Sequence, residues 1–547
     1  MPKVRLAMAQ TNPIVGDISG NLAQTIEALR EAVSNKANLI VFGEMNLTGY
    51  PIEDLSVRES FVSAAEKAVS DLALVLQAPE FRGVAVVVGH PAKSENPTGW
   101  ALAENSATVL VDGKILGRYG KHHLPNYSVF DEFRNFISAD KSLVFEFQGI
   151  KFATLICEDI WQNGGPVADL STNRVDIALV LNGSPFELEK TDVRLKLVTD
   201  LATKHECAVA YVNLVGGQDD LVFDGNSLFV DSTGELIARA PQFQSSVTYV
   251  DIETKDSASS IGDEDRQDEL EQVWNALTLG LRDYVEKNRF KSVVLGLSGG
   301  IDSAVCAVLA ADAIGANRVF GVSMPSKYSS DHSISDAEDL ASRIGCHYRA
   351  QPIPKMVASF ESEMQLSDLA SENLQARVRG VILMALSNSE GHLTLTTGNK
   401  TELAVGYSTI YGDSVGGYAP IKDVEKTLVW KLATWRNDFA VKKGLTPPIP
   451  QNSITKPPSA ELRPDQLDQD SLPDYELLDS MLDLYVEKRR SREQIIAAGY
   501  EAETVDRIIS LVDGAEWKRR QGAIGTKITG LAFGRDRRLP ITNKFKK

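Results

Sequence analysis

At 547 residues the chain is longer than one ordinary hydrophobic core accommodates, so two or more domains are expected. Its 43% hydrophobic and 24% charged residues are those of a folded globular protein and argue against a disordered or fibrous one. A formal net charge of -17 spreads repulsion over the surface and argues against nucleic acid or an anionic membrane as a partner.

In chain order, the first half repeats apolar runs of strand length: VRLAMAQ from Val4, ANLIVFGEM from Ala37, VAVVVGHP from Val84, KFATLICEDIW from Lys151, VDIALVLNGSP from Val175 and CAVAYVNLVG from Cys207. Helical stretches from Asn21 to Ser34 and from Lys190 to His205 separate several of them, and Ser232-Thr233-Gly234 after FDGNSLFVD marks a hairpin. Mixed alternation of this kind predicts an α/β layered domain over residues 1–252. The start of the chain runs straight into the first strand pattern with no apolar signal core, and no apolar run approaches membrane-spanning length. Cys157, Cys207, Cys306 and Cys346 lack CxxC spacing, which fits a reducing cytosol better than a disulfide framework or a zinc site. The expectation is a cytoplasmic enzyme.

Three polar residues stand at the ends of apolar strands in this half: Glu44, Lys121 and Cys157. Amide hydrolysis by a cysteine needs a nucleophilic sulfur, a carboxylate that takes and returns protons, and a cation that steadies the tetrahedral oxyanion, and these residues supply one of each. The lysine is also expected to favour the thiolate. Cys207, Cys306 and Cys346 read as core residues, and His122 and His123 as neighbours of the lysine without a catalytic part.

Residues 253–270 turn polar and poor in β-branched residues, which reads as a linker. Beyond it, over 271–547, come a helix near Leu270 to Lys287, the strand SVVLGLS, a helix from Ser303 to Ile314, the strand RVFGVSMP, a helix near Ser335 to Ile344 and a strand near His347 to Pro352. Strict strand and helix alternation predicts a parallel, doubly wound sheet with ligands beyond the carboxyl ends of its strands. The first of these strands runs through Gly296 and Leu297 into Ser298-Gly299-Gly300-Ile301-Asp302-Ser303 and then into a helix. Glycines let backbone N–H groups close on an anion and the helix N-terminus adds partial positive charge, so the loop is expected to bind phosphate. The GxxxxGK[ST] pattern is absent, so ordinary γ-phosphate chemistry is not indicated. The proline-rich, polar segment from Lys443 to Leu472 is expected to be a loop of the kind that serves as a lid. From Lys518 onward the tail is basic, suited either to solvation or to a phosphorylated ligand.

SGGxDS resembles the signature of the N-type ATP pyrophosphatases, which split ATP to AMP and pyrophosphate while adenylating a carboxylate or similar oxygen. ENLQAR from Glu372 and TTGNKTE from Thr396 resemble the NAD synthetase branch of that group. The resemblance implies ATP contacts at Gly296, Leu297, Ser298, Gly299, Gly300, Ile301, Asp302, Ser303, Thr397, Lys426 and Ser459. It implies contacts with a deamido dinucleotide at Asn373, Glu402 and Lys518, and magnesium held by Asp302 and Glu402, whose oxygens suit a hard cation. Ile410 departs from the pattern, since ammonia-using relatives carry lysine there. In the first half GEM-LTGYP, GRYGK-HLPNY and CED-W resemble the nitrilase superfamily in the right order. This resemblance makes Glu44, Lys121 and Cys157 the catalytic set, Glu132 a second glutamate supporting the lysine and the substrate amide, and Tyr127, Ser184 and Lys190 glutamine-binding positions.

A nitrilase-like α-β-β-α sandwich followed by a Rossmann-like, doubly wound ATP pyrophosphatase domain resembles the glutamine-dependent NAD synthetase family over essentially the whole chain. The implied activity is a ligase reaction that amidates a nicotinate dinucleotide with ammonia from glutamine, at the expense of ATP and with Mg²⁺. Transfer of ammonia along an enclosed path and a homo-oligomer formed through the synthetase domain are also implied. Two other readings remain open at this stage: a glutamine amidotransferase acting on another carboxylate, and a carbon–nitrogen hydrolase regulated by a nucleotide.

Overall fold

A computed structural model describes residues 3–254, 256–261, 266–463 and 466–545. Parts of the expected linker, at 255 and 262–265, and the tip of the basic tail, at 546–547, lie outside the described residues. The chain divides into two compact units, Met1–Asp268 and Glu269–Lys547. Among the described residues no helix is long and apolar enough to cross a membrane.

Two large sheets frame the first unit, beside a two-stranded antiparallel ladder of Val215–Gln218 and Leu221–Asp224. One runs in the order Ser257–Ile261, Ser246–Thr254, Val4–Gln10, Leu39–Phe42, Ala85–Thr98, Ala101–Val111, Lys114–Gly120. The other runs Leu236–Arg239, Leu228–Val230, Ala208–Asn213, Ile177–Asn182, Ile150–Ile156, Leu143–Phe147. Alternate residues of the central strands divide between two cores, because successive side chains of a strand point to opposite faces. Val4, Leu6, Met8, Leu39 and Val41 meet Phe152, Ile156, Ile177, Leu179 and Leu181 between the sheets. Ala7, Ala9, Ile40 and Phe42 face helices Ile18–Ser34 and Glu59–Val75, with Leu29, Val69 and Leu72 among their partners. Ala178 and Val180 face helix Lys190–His205 through Val198 and Ala202. The unit is therefore layered α-β-β-α, and burial on both faces explains why its strands read as unbroken apolar runs.

Part of the stretch read as a linker belongs to this unit, since Ser257–Ile261 pair antiparallel with Ser246–Thr254 at the sheet edge. An edge strand exposed to water needs no apolar alternation, and Ser257-Ala258-Ser259-Ser260 carries none.

The second unit holds a four-stranded, wholly parallel sheet in the order His347–Ala350, Val319–Ser323, Val293–Gly296, Leu393–Thr394. Helices Pro354–Glu363 and Asp368–Glu390 cover one face through Val357, Val378 and Leu383 against Val294 and Val322. Helix Ile301–Ile314, buried along most of its length, packs on the sheet as well. The helix expected from Ser335 begins at Asp331, capped by the Ser330 hydroxyl, which accepts from Ser333 N. Chain order reverses at Val293–Gly296, whose neighbours are the strand that follows it and the last strand of the sheet. Such a switch point opens a crevice beyond the strand ends. A helical lobe with its own core, including Leu478, Val505, Ile508 and Val512, completes the unit. Within the proline-rich stretch expected to be a loop, Gln451–Thr455 form a short helix.

Candidate active site

In the first unit the strand Ile150–Ile156 ends directly in a tight turn, Cys157–Ile160, and Cys157 takes a left-handed φ of 42°. Left-handed backbone at a non-glycine residue is strained and persists only where its surroundings impose it. The imposing group is Asp159, buried, whose Oδ2 accepts from Ile156 N at 2.9 Å and Tyr119 Oη at 2.7 Å. Its Oδ1 accepts the backbone N–H groups of His122 at 3.1 Å and His123 at 2.9 Å. One carboxylate thus ties the cysteine turn to the segment that follows Lys121.

Lys121, Glu44 and Glu132 are all buried, and the ammonium lies 2.8 Å from Glu44 Oε1 and 2.8 Å from Glu132 Oε2. Glu44 Oε1 also accepts from Asn105 Nδ2 at 2.6 Å, and Glu44 Oε2 accepts from Gly183 N at 2.7 Å. A Cβ on residue 183 would stand 3.0 Å from Tyr50 and 3.2 Å from Glu44 Oε2, a tight fit that favours glycine at this close backbone approach. Tyr50 Oη donates to Glu132 Oε1 at 2.8 Å.

Lys121 pulls the sulfur toward the thiolate as expected, but other forces outweigh it. Burial pushes the Cys157 thiol well above its ordinary range, Glu44 adds to the rise, and the opposing pull of Lys121 does not overcome them. The resting sulfur is a thiol, and a proton acceptor must act during attack. Burial works against the Lys121 ammonium, but Glu132 and Glu44 outweigh it and hold the lysine charged. Burial raises Glu132 to about 7, with Lys121 opposing and Glu44 adding.

The remaining expected residues of this unit are placed as follows. Tyr127 is exposed and donates its hydroxyl to Glu158 Oε2 at 2.8 Å. Ser184 is buried, with its Oγ accepting from Arg194 Nε at 3.2 Å. Lys190 opens helix Lys190–His205 and pairs with Glu187 at 3.5 Å. His122 Nδ1 bonds Ala139 O at 2.7 Å. Cys207 and Cys306 are buried as expected, whereas Cys346 is only half-buried, and none of the four cysteines forms a disulfide.

Sequence reasoning missed Asp159, Asn105 and Arg194. Arg194 is buried and pairs with Asp224 at 2.6 Å while donating to Ser184 O and Pro185 O. Arg194 stands between the apolar Val193 and Leu195, which was an available signal, whereas Glu104 and Ser106 flank Asn105 and Glu158 precedes Asp159, so neither of these stood out.

At the switch point of the second unit a cavity of about 330 Å³ is lined by Gly296, Leu297, Ser298, Gly300, Ile301, Asp302 and Ser303, and by Thr397, Glu402, Lys426 and Ser459. Gly299 turns the loop at φ +76°, and a Cβ there would stand 2.4 Å from Ser333 O. Arg379 and Lys456, unforeseen from sequence, also line the cavity, and Arg379 Nε donates to Met324 O at 3.0 Å.

Lys426 is buried, with Nζ 2.5 Å from Asp302 Oδ2 and 3.5 Å from Glu402 Oε1, and with the rings of Tyr475 at 5.3 Å and Trp430 at 5.6 Å. Asp302 Oδ1 further accepts from Asn399 Nδ2 at 2.9 Å. Burial raises Glu402 to about 8, with Lys426 opposing and Asp302 adding. Among the described residues no cluster of three or more His, Cys, Asp or Glu could hold an ion unaided. Two carboxylates beside a glycine-turned loop fit a magnesium ion that would take its other ligands from nucleotide and water.

Asn373 and Lys518 lie outside the cavity lining and grip one loop from two sides. Asn373 Oδ1 accepts from Thr409 Oγ1 at 2.7 Å, and Lys518 Nζ donates to Gly406 O and Ser408 O, both at 2.7 Å. Ile410, in the same loop, accepts from Arg377 Nε at 3.3 Å through its carbonyl.

Comparison with known proteins bears on both units. The carbon–nitrogen hydrolase family model matches residues 5–260, and the NAD synthase family model matches residues 273–522. The glutamine-dependent NAD(+) synthetase of Acinetobacter baylyi is 45% identical over 554 aligned residues, covering 100% of this chain and 99% of that protein. That of Thermotoga maritima is 42% identical, covering 100% of each. A solved glutamine-dependent NAD+ synthetase from Acinetobacter baumannii, in complex with adenosine diphosphate, is 41% identical and superposes with a TM-score of 0.78, covering 99% of this chain and 98% of that one.

Proposed function

The chain belongs to the glutamine-dependent NAD(+) synthetases, and on that footing we propose that it makes NAD+ by amidating the carboxylate of nicotinate adenine dinucleotide. ATP activates the carboxylate, glutamine supplies the nitrogen, and glutamate, AMP and pyrophosphate are released. The observation that carries this reading is the meeting of Cys157, Glu44 and Lys121 in one unit while the other holds a glycine-turned anion loop at its switch point.

In the first unit the Cys157 sulfur attacks the carboxamide carbon of glutamine as its proton passes to Glu44. The carbonyl electron pair moves to oxygen, which the Lys121 ammonium stabilises. Glu44 returns the proton to nitrogen as the C–N bond breaks, leaving ammonia and a thioester on Cys157. Water then adds to the thioester, giving its proton to Glu44, which passes it to sulfur as glutamate leaves. Tyr127, Ser184 and Lys190 hold the amino acid, and Glu132 keeps Lys121 charged and placed.

In the second unit a dinucleotide carboxylate oxygen attacks the α-phosphorus of ATP, and pyrophosphate leaves into the backbone N–H groups of Ser298 to Ser303. Ammonia adds to the adenylated carbonyl and AMP departs with its oxygen. Gly296, Leu297, Thr397, Lys426 and Ser459 hold ATP, while Asn373, Glu402 and Lys518 serve the dinucleotide. Magnesium, carried by the nucleotide and held by Asp302 and Glu402, would neutralise phosphate charge. Ammonia reaches the adenylate without equilibrating with bulk water, where it would become ammonium and lose its nucleophilicity. The enzyme acts in the cytoplasm as a homo-oligomer formed through the second unit, with Leu369, Val381 and Met384 of helix Asp368–Glu390 exposed for such a contact.

A Cys157→Ala variant assayed with glutamine and separately with ammonium tests the assignment. Loss of glutamine use with ammonium-driven synthesis retained is expected; loss of both contradicts the division of labour.

A further inference from the structure

Asn105 lies in strand Ala101–Val111, wholly buried, and two of its polar groups engage the amidase machinery. Its backbone carbonyl accepts from Lys121 N at 2.7 Å, which anchors the lysine main chain. Its Nδ2 donates to Glu44 Oε1 at 2.6 Å and lies 3.5 Å from Glu132 Oε1. The side-chain acceptor, Oδ1, is buried and has no hydrogen-bond partner among the described residues. An unpaired buried acceptor costs roughly 1–3 kcal/mol. Turning the amide over would set Oδ1 against a carboxylate oxygen, so the two glutamates dictate its orientation.

The consequence lies in the lone pairs of Glu44. Oε1 receives both Lys121 Nζ at 2.8 Å and Asn105 Nδ2 at 2.6 Å, whereas among the described residues Oε2 receives Gly183 N alone at 2.7 Å. A carboxylate oxygen offers about two in-plane acceptor sites, so Oε1 is filled and Oε2 keeps one open. We propose that Asn105 is a positioning residue for the amidase reaction, locking Glu44 so that Oε2 receives the Cys157 proton and hands it to the departing nitrogen. The inference rests on the amidase reading of Cys157, Glu44 and Lys121. The charged and titratable groups gathered around the carboxamide are Glu44, Glu132 and Lys121, with Tyr50 bonded to Glu132 and Cys157 within electrostatic reach of all three.

Full-length Asn105→Leu and Asn105→Asp variants test it, with glutamine hydrolysis followed across pH and ammonium-driven synthesis measured in parallel. In Asn105→Leu, kcat for glutamine is expected to fall about a hundredfold, as for a misplaced catalytic group, with KM within about threefold of the parent. In Asn105→Asp the added like charge is expected to move the acid limb of the glutamine profile up by about one pH unit or more. A merely structural role would depress the rate evenly and leave that limb in place. The proposal is overturned by a kcat within threefold of the parent in Asn105→Leu, or by an unmoved acid limb in Asn105→Asp. If Asn105→Leu does not fold, the Asn105→Asp profile alone decides. Glutamine use by Cys157→Ala would instead overturn the amidase reading itself, whatever the Asn105 variants do.

Discussion

Each unit places a buried lysine between two carboxylates, and the two settings differ in their access to water. Lys121 lies between Glu44 and Glu132, with side-chain exposures of 1%, 1% and 3%. Lys426 lies between Asp302 and Glu402, whose side chains remain 18% and 19% exposed on the rim of the switch-point cavity. A dry ion cluster is fixed, because separating its members leaves a charge without solvent. A cluster on a wet rim can exchange partners. The first arrangement suits a permanent electrophilic group aimed at an oxyanion. The second suits an ammonium that stands as counter-ion to two carboxylates and turns to phosphate when a nucleotide brings its own cation.

The largest test of that contrast is Lys121→Met. It leaves two buried carboxylates unpaired, so a loss of about 3–5 kcal/mol in the first unit's stability is expected by chemical denaturation. Glutamine use should fall about 10²–10³-fold or more, as when an oxyanion donor is removed. A variant as stable as the parent would show the cluster to be wetter than argued. Next, Asp302→Asn should lower synthesis from both glutamine and ammonium about 10²–10³-fold, while glutamine hydrolysis survives. Parallel assays of the two reactions check this, and loss of hydrolysis alone would reverse the assignment.

His90 sharpens the claim that the first unit is dry. It is buried, its Nε2 meets Thr108 Oγ1 at 2.7 Å, and burial lowers it to about 4. The folded value lies below the unfolded one, about 6.5, so the unfolded chain takes the proton first. Stability should therefore fall as pH drops from about 6.5 toward 4, by about 3 kcal/mol at the limit, and level off below. Denaturation of the parent and of His90→Gln at pH 7 and pH 4.5 checks it; an equal loss in both would remove His90 as the cause. The smallest effect belongs to Lys426→Met, where the carboxylates are partly exposed and Glu402, raised to about 8, can bind a proton instead, so the stability loss should stay well below that of Lys121→Met. A loss as large as that of Lys121→Met would erase the contrast.

The sequence was legible where burial is two-sided and chemistry is local. Strands such as Ile177–Asn182 announced themselves as apolar runs, and the loop at Ser298–Ser303 carried its strand, turn and helix in consecutive residues. Edge pairing at Ser257–Ile261 was not legible, because exposed serines satisfy an edge without any apolar pattern. Nor was the state of Cys157, since the pull of Lys121 could be anticipated but the burial that defeats it could not. Asp159 and Asn105 escaped notice because their roles lie in bonds spanning 36 and 61 residues of chain, to His123 and to Glu44. Lys426 was expected beside ATP, and its pairing with Asp302 and Glu402 emerged only when residues far apart in sequence met at the switch point.

The coupling of the two chemistries is tested most directly by isotope. Glutamine carrying ¹⁵N in its amide is supplied with an equal concentration of unlabelled ammonium, and the nitrogen of the product carboxamide is read by mass spectrometry. Retention of the label is the expected result. Dilution in proportion to the added ammonium would contradict direct transfer between the two units.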